Sequence, residues 1–263
     1  MDNRLPESWY QAIFIRKSRR SFHPRAPEED KIIRLEKICR EFRPFAGVRA
    51  EFIRRSPDRV FRGLLADYGK ITGAPLYIAF IGSSASPDVA EGLGYTGEGV
   101  ILEATTLGLG TCWVSGFFRP DAVKDHLALA EGERIFAVTP IGYSEREMTV
   151  KDRLYRTFAG SHKRKPLDKI AEGPIAERWQ EKALEAARLA PSAANRQPWR
   201  FVAGTTSIKV RADGPKDSEK YPKRLDCGIA MLHLELGAQA AGVWGKWTRL
   251  DPPDVARFEV LEK

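Results

Sequence analysis

The sequence predicts an α+β fold built from two related halves. Segments with helical and with strand-like periodicity occur in both parts of the chain, which is typical of helices packed on small sheets. A constant offset also relates positions in the two parts. The matched residues are Gly94 and Gly228, Leu102 and Leu236, Gly108 and Gly242, and Trp113 and Trp247. A repeat of about half the chain suggests duplication of one unit. Two unrelated core helices, each ending in Gly and Trp, are the alternative.

Composition limits the class of protein. At 263 residues the chain suits one large domain or two small ones, and 43% hydrophobic residues suffice for a packed core. Cys39, Cys112 and Cys227 form no CxxC pair and no cluster with histidine, which argues against a zinc site or a disulfide framework. We therefore expect a reducing, cytoplasmic setting. No run reaches signal-peptide or membrane-spanning length, so no membrane partner is expected.

The net charge of +8 leaves several kinds of partner open. Basic charge can serve nucleic acid, a membrane surface or phosphorylated ligands. The basic residues cluster at 16–25, 49–62 and 151–169, and none of these segments is interleaved with aromatic residues as in single-strand binders. We expect most of the excess basic residues to lie on a solvated surface, and we expect no nucleic-acid partner. A localised group of the basic residues would bind a phosphate-bearing cofactor.

Hydrophobic periodicity predicts the elements in order. Trp9, Ile13 and Phe14 share one face of a short helix, and a second helix starts at Pro27 with Ile33 on its apolar face. The later elements are a strand over 76–81, a helix over 97–109, a strand over 135–143, a helix over 177–190, strands starting at 200 and 208, and a helix from 226 that reaches 242–247.

An arginine–serine run follows the first helix. Alternate positions of an extended segment project to one side, which places Arg16, Ser18 and Arg20 together. Two guanidinium groups that flank a hydroxyl make a good anion site, because arginine pairs with phosphate oxygens in bidentate geometry. Taken alone, a run of this kind is more often exposed charge.

A glycine-rich loop and a lysine are further candidates for ligand contact. Gly108 and Gly110 end the helix over 97–109, and the segment continues through Ser115 and Gly116. Glycine-rich backbone permits close approach to a ligand. Lys70 precedes the first predicted strand, where a surface lysine is an equally good interpretation.

The most informative segment runs over 190–199. The preceding helix stops before Pro191, because the residue before a proline is pushed out of the α region. Ser192, Asn195 and Gln197 follow on backbone with no predicted helix or strand partner. We expect their side chains and amides to be free for a ligand. A helix stop, a loop and a Trp-anchored strand are the alternative.

These motifs together resemble the nitroreductase family of FMN-dependent oxidoreductases. The likeness is nearly unbroken over 186–201, and it includes Arg-x-Ser-x-Arg-x-Phe at 16–22 and the glycine-rich loop at 107–117. It implies a nitroreductase-like fold and an FMN cofactor. In this resemblance Arg16, Ser18 and Arg20 would hold the FMN phosphate, ribityl chain and pyrimidine edge.

The resemblance also implies roles for other residues. The basic run with Lys163 and Arg164 would clamp the phosphate, Lys70 would approach the flavin, and the amides of Ser115 and Gly116 would face flavin N5 and O4. The isoalloxazine edge would be held by the segment after the helix stop: Pro191, Ser192, Asn195 and Gln197.

The distribution of these motifs along the chain points to a fusion. Nitroreductases are usually homodimers, and their FMN lies at the subunit interface. Here the arginine–serine run and the glycine loop occur only in the first half, and the asparagine–glutamine motif only in the second. The chain thus resembles the fused subgroup of TM nitroreductases. Residues 1–165 and 166–263 would be the halves of an intramolecular pseudo-dimer, a monomer that binds one FMN.

The resemblance implies a reductase that passes electrons from NAD(P)H through FMN to a small organic acceptor, such as a nitroaromatic or a quinone. A cation near the flavin, from Arg20 or Lys70, would favour hydride acceptance. The alternative is a flavin-binding sensor or carrier without robust turnover, which reduction and reoxidation assays would separate. A basic protein without flavin ranks last, because it would need coincidence at three motifs.

Overall fold

A computed structural model describes residues 4–61, 71–144, 163–214 and 222–261. The first part of the chain forms α1 (Glu7–Ile15), α2 (Glu29–Glu41), β1 (Val48–Ile53), α3 (Asp58–Phe61), β2 (Leu76–Ser83), α4 (Val89–Thr106), α5 (Pro120–Lys124) and β3 (Glu133–Ile141). The second part forms β4 (Ala171–Glu172), α6 (Arg178–Arg188), β5 (Trp199–Ala203), β6 (Ser207–Ala212), α7 (Lys223–Ala240), β7 (Gly245–Arg249) and β8 (Asp254–Val260). These helices and sheets confirm the predicted α+β class.

The two sheets follow the same strand order. The first is antiparallel in the order β1-β2-β3, and Val114 bridges to Val138 on the free side of β3. The second runs β5-β6-β8-β7, also antiparallel. Residues around Val114 therefore take the place that β7 takes in the second sheet. β4 adds a parallel partner to β5, so the chain that follows the first sheet contributes to the second.

The long helices α4 and α7 cross at a pair of glycines. A Cβ on Gly94 would lie 1.9 Å from the carbonyl oxygen of Leu225, and a Cβ on Gly228 would lie 1.9 Å from that of Glu91. Both contacts join the same two helix positions in opposite directions, at the offset seen in the sequence. Reciprocal contacts of this kind are the signature of a two-fold interface, and they are compatible with a pseudo-dimer.

Both helices also end in the same way. Gly108 has φ 74° and Gly242 has φ 80°, a left-handed conformation that glycine adopts without strain. The closing backbone hydrogen bonds repeat at the same offset and run from Gly108 to Thr105, Leu109 to Ala104, Gly242 to Gln239 and Val243 to Ala238. The predicted helix-ending glycine at 108 is confirmed.

One hydrophobic core runs through both halves without a break. Its largest buried side chains include Trp9 and Phe80 of the first half and Trp199, Phe201 and Phe258 of the second. A shared core couples the halves in folding, which is the expectation for one cooperative unit. None of the described helices is both long and apolar enough to cross a membrane.

Several predicted details are wrong. Phe14 and Ile33 were expected on apolar faces, but they are 53% and 54% exposed. Helix α4 starts at Val89, well before its predicted start at 97, because its glycines weaken the local helical signal while packing against neighbours favours the helix. Trp247 lies in β7 and not at the end of a helix. Strands β1, β4, β7 and β8 were not predicted.

Candidate functional site

The loop after α6 has unusual backbone. Ala194, Asn195 and Gln197 have φ of 49°, 54° and 48°, in the left-handed region that residues other than glycine rarely adopt. Strained backbone of this kind persists only where surrounding contacts impose it, and it is often found at functional sites. The Ser192 hydroxyl contributes by accepting the amide of Gln197 at 2.9 Å.

A buried aspartate on α7 holds this loop. Asp226 is 3% exposed. Its Oδ1 accepts the amide of Ala193 at 3.2 Å, and its Oδ2 accepts Nε of Arg196 at 2.7 Å. The sequence analysis missed this role. The only local signal was an acidic residue at the start of an otherwise apolar helix.

Asn195 and Gln197 are paired with the basic segment 163–165. The Asn195 amide donates to the carbonyl of Lys163 at 2.9 Å, and its Oδ1 accepts a guanidinium hydrogen of Arg164 at 3.0 Å. Gln197 Oε1 accepts the amide of Lys165 at 2.8 Å. The expectation that these side chains are free is therefore wrong. The structure does bring the asparagine–glutamine motif and the basic run together.

Arg16 and Arg164 lie close enough for their charges to interact. Burial and the nearby charges of Arg16 and Arg188 lower the pKa of Arg164 to about 10, against an opposing effect of Glu98. The Arg16 side chain is only 8% exposed. Its Nε finds no hydrogen-bond partner in the described part of the chain and lies 3.7 Å from Oε1 of Glu98. Two guanidinium groups that repel each other, one of them with a buried side chain, favour a bound anion.

The arginine–serine run and the glycine loop are neighbours. Residues 18–22 are extended, as predicted, and Ser18 forms a parallel bridge with Thr111. The carbonyl of Arg20 accepts the amide of Thr72 at 2.9 Å. The glycine loop pairs with β3 at Val114 and then bends through 115–116. Both first-half motifs thus lie on adjacent segments that are joined by an isolated bridge. Lys70 lies outside the described residues.

A buried carboxylate that the sequence analysis missed joins these segments. Glu98 Oε1 lies 2.9 Å from Nε2 of His233, and its Oε2 accepts the indole N–H of Trp113 at 2.7 Å. His233 Nδ1 lies 3.1 Å from the carbonyl oxygen of Ala186 on α6. Arg16, Glu98, Trp113 and His233 are here called the Glu98 cluster. A single glutamate among glycines and a distant histidine give no sequence signal for it.

A match to a family model shows the family to which the chain belongs. The model described as "Putative TM nitroreductase" matches residues 8–238. The chain belongs to this nitroreductase family. The structure of a putative nitroreductase from Thermotoga maritima is 20% identical, with a TM-score of 0.64, and the match covers 96% of this chain and 93% of that one. That likeness extends over both halves and shows a nitroreductase fold.

Other solved nitroreductases match about half of this nitroreductase-family chain. An FMN-dependent nitroreductase from Clostridium difficile R20291 is 20% identical, covers 52% of this chain and 88% of that one, and has a TM-score of 0.42. A nitroreductase with bound FMN from Bacteroides fragilis is 16% identical, covers 54% and 94%, and has a TM-score of 0.43. No curated protein matches the chain.

The residues of this nitroreductase-family protein fit a phosphate-bearing flavin. The buried Nε of Arg16 and the desolvated guanidinium of Arg164 are the donor type that phosphate prefers. The amide side chains of Asn195 and Gln197 offer both donors and acceptors, as the polar edge of a flavin requires. The side chains of Asn195 and Gln197 are already hydrogen-bonded to residues 163–165. To contact a flavin, they must either exchange these hydrogen bonds or accept further ones.

Proposed function

We propose that this chain is an FMN-dependent oxidoreductase that takes electrons from NAD(P)H and delivers them to a small organic acceptor, such as a nitroaromatic or a quinone. Family membership supports the reaction class. The observation that carries FMN for this chain is the buried Nε of Arg16, which has no hydrogen-bond partner among the described residues, together with Arg164, which donates to Asn195 in the strained loop. Two cations next to polar amides suit a ligand with an anionic and a hydrogen-bonding end.

When bound, FMN supplies the electron-transfer chemistry, and the protein supplies position and electrostatics. Arg16, Arg164 and Lys163 would bind the phosphate, and the burial of the Arg16 side chain removes water that would otherwise compete for it. Ser18 and Arg20, on the neighbouring strand, bind the ribityl chain and the pyrimidine edge. Positive charge at this edge favours acceptance of a hydride.

The remaining proposed contacts orient the ring system. The amides of Ser115 and Gly116, in the bend after the residue that bridges to β3, would orient N5 and O4. Ser192, Asn195 and Gln197 bind the isoalloxazine edge from the second half. Pro191 ends α6 and sets the direction of this loop. Lys70 is retained in the proposal from the family resemblance alone.

We also infer that the chain is a pseudo-dimer that acts as a monomer with one FMN. Residues 1–165 and 166–263 would be its halves. The reciprocal contacts of Gly94 and Gly228 and the common strand order support this organisation. The proposed site draws Arg16 from one half and Asn195 from the other. The equivalent connection in the first half carries no asparagine–glutamine motif.

The first test measures bound flavin per chain after incubation with excess FMN and removal of the free cofactor. We expect about one FMN per chain, lost in a variant that combines Arg16→Ala with Asn195→Ala. Arg25→Ala is the matched charge control, since Arg25 is an exposed partner of Glu28. Two flavins per chain would overturn the single-site proposal, and none would overturn the FMN proposal.

The second test follows flavin absorbance when NADH or NADPH is added without oxygen, and again after a nitroaromatic or quinone is added. Bleaching followed by recovery is the expected result. Stoichiometric flavin that neither nicotinamide reduces would instead favour the sensor or carrier function. Comparison of the two nicotinamides would identify the preferred donor.

A further inference from the structure

We propose that Glu98 is a positioning residue for the FMN phosphate site, which it serves by fixing Arg16 and by joining the three segments that build the site. The inference rests on the proposed function and adds a role for a residue that does not itself contact the cofactor. It is carried by the contacts of the Glu98 cluster.

The Glu98 cluster is buried at its centre. Glu98 and His233 are both fully buried, and the Arg16 side chain is nearly so. A carboxylate in such a place is tolerated only where it is paired and hydrogen-bonded. Its two oxygens meet His233 at 2.9 Å, Trp113 at 2.7 Å and Arg16 at 3.7 Å. The carboxylate is therefore held rigidly, and it faces the Arg16 guanidinium from a fixed direction.

Each partner of Glu98 belongs to, or contacts, a different segment of the proposed site. Arg16 begins the arginine–serine run. Trp113 stands two residues before Ser115 in the glycine loop. His233 reaches the carbonyl of Ala186 on α6, the helix that ends in the asparagine–glutamine loop. One carboxylate thus contacts two site segments of the first half and, through His233, the segment of the second half.

The Glu98→Gln substitution separates the orientation of Arg16 from the net charge of the Glu98–His233 pair. The carbonyl of Ala186 can only accept, so His233 Nδ1 carries a hydrogen. One further proton lies between Nε2 and the Glu98 carboxylate, and the pair has no net charge whichever atom holds it. After Glu98→Gln the amide can donate to a neutral His233, and the pair again has no net charge. Any change in anion affinity then reports the orientation of Arg16 and not a change in the net charge of the cluster.

The Glu98→Gln substitution is expected to weaken phosphate binding. In Glu98→Gln the amide oxygen still accepts the Trp113 indole, and the amide nitrogen faces His233 and Arg16. A carboxylate opposite the buried Nε of Arg16 is replaced by a hydrogen-bond donor. The guanidinium then faces a donor in place of a carboxylate oxygen and leaves the orientation that suits the phosphate.

Glu235 provides a matched control. It is a buried glutamate on α7 that accepts the indole N–H of Trp247 at 2.7 Å and the hydroxyl of Tyr95 at 2.7 Å. Gln239 donates to its other oxygen at 3.3 Å. Within the described ranges none of these partners is a predicted site residue. Glu235→Gln therefore imposes a similar buried change without reaching the site.

The experiment measures the FMN dissociation constant and the melting temperature of the full chain and its variants. We expect Glu98→Gln to weaken FMN binding about tenfold or more, the equivalent of one charge-assisted contact. Glu235→Gln should change the affinity by less than about twofold while lowering the melting temperature to a similar extent. Equal losses of affinity in the two variants would overturn the proposal.

A double-mutant cycle tests whether Glu98 acts through Arg16. In an Arg16→Ala background, Glu98→Gln should weaken FMN binding by less than about a further twofold. Full additivity would overturn the positioning role. If Glu98→Gln does not fold, Trp113→Phe releases the other carboxylate oxygen and must show the same dependence on Arg16. Absence of FMN binding to the unmodified chain would instead overturn the proposed function.

Discussion

The connection from α2 to β1 and the connection from α6 to β5 occupy equivalent places in the two halves, but they are used differently. In the first, Phe42 and Phe45 pack against Tyr95 with ring centroids 6.1 and 5.4 Å apart. In the second, a polar loop with left-handed residues meets the basic segment 163–165. The same scaffold position contributes to the core in one half and to the candidate site in the other.

One position on the long helices accounts for much of this difference. Gly92 of α4 and Asp226 of α7 are matched by the same offset that relates the two crossing glycines. A Cβ on Gly92 would lie 2.9 Å from Phe45, so glycine makes room for the aromatic side chain. Asp226 instead reaches out to Ala193 and Arg196 and holds the polar loop. The two parts of the chain thus have similar backbone arrangements, but the side chains at equivalent positions make different contacts.

The largest expected effect tests the shared backbone arrangement. Gly94→Ala and Gly228→Ala should each destabilise the fold by about 3 kcal/mol or more, because the new methyl group meets a backbone carbonyl at the helix crossing. Urea unfolding measures both losses. Gly108→Ala is the control, since its Cβ would meet nothing within 4 Å and only backbone strain of about 1 kcal/mol is added. A large loss in only one of the two crossing variants would contradict the two-fold interpretation.

A second prediction separates the two connections. Asp226→Ala should cost about 2–4 kcal/mol through loss of a buried ion pair, and it should also weaken FMN binding because the loop loses its anchor. Phe45→Ala should cost about 1–2 kcal/mol, since this side chain is half-buried, and leave FMN binding unchanged. Unfolding curves and flavin titrations on both variants make the comparison. Loss of FMN affinity in Phe45→Ala would mean that the first-half connection also contributes to the site.

The smallest effect concerns acid sensitivity, which should be alike in the two sheets. At the start of β3, the Arg49 guanidinium lowers the pKa of Glu133 to about 2. At the start of β8, hydrogen bonds from Arg211 and Lys209 outweigh burial and lower the pKa of Asp254. A lowered folded-state pKa means that each carboxylate stabilises the fold above its unfolded-state pKa, and this contribution is lost as the pH falls toward the folded-state pKa.

Glu133→Gln should therefore reduce the free energy of unfolding by about 1–2 kcal/mol at pH 7, with solvent screening taken into account. The difference from the unmodified chain should shrink as the pH falls from about 4.5 to about 2. Asp254→Asn should follow the same direction in the second sheet. Urea unfolding at pH 7 and pH 3 measures both variants. A difference that grows on acidification would contradict the assigned pKa direction.

Much of the fold was predictable from local sequence. Helix α6 was expected over 177–190 and is found at Arg178–Arg188, with Glu177 and Gln180 forming its capping box. The strand expected over 76–81 is β2, and the arginine–serine run is extended as expected. These features depend on periodicity, caps and prolines, which act between residues close in the chain.

The candidate site was predictable as a set of motifs. The segments that hold Arg16, Arg164 and Asn195 were each identified, and the family resemblance implied that they meet at one FMN. The hydrogen bonds of Asn195 to Lys163 and Arg164 were not predicted. The role of Asp226 was also missed, because nothing near it in the chain shows that its carboxylate reaches a loop far earlier in the sequence.

The sequence by itself predicted the α+β class from periodicity, the nitroreductase resemblance from its motifs, and the constant offset between matched glycines from their spacing. Tertiary structure alone decided that α4 runs unbroken through its glycines, that Phe14 faces outward, and that Glu98 meets His233 across the helix crossing. Contacts between residues so far apart in the chain depend on close packing and burial, and no local pattern encodes them.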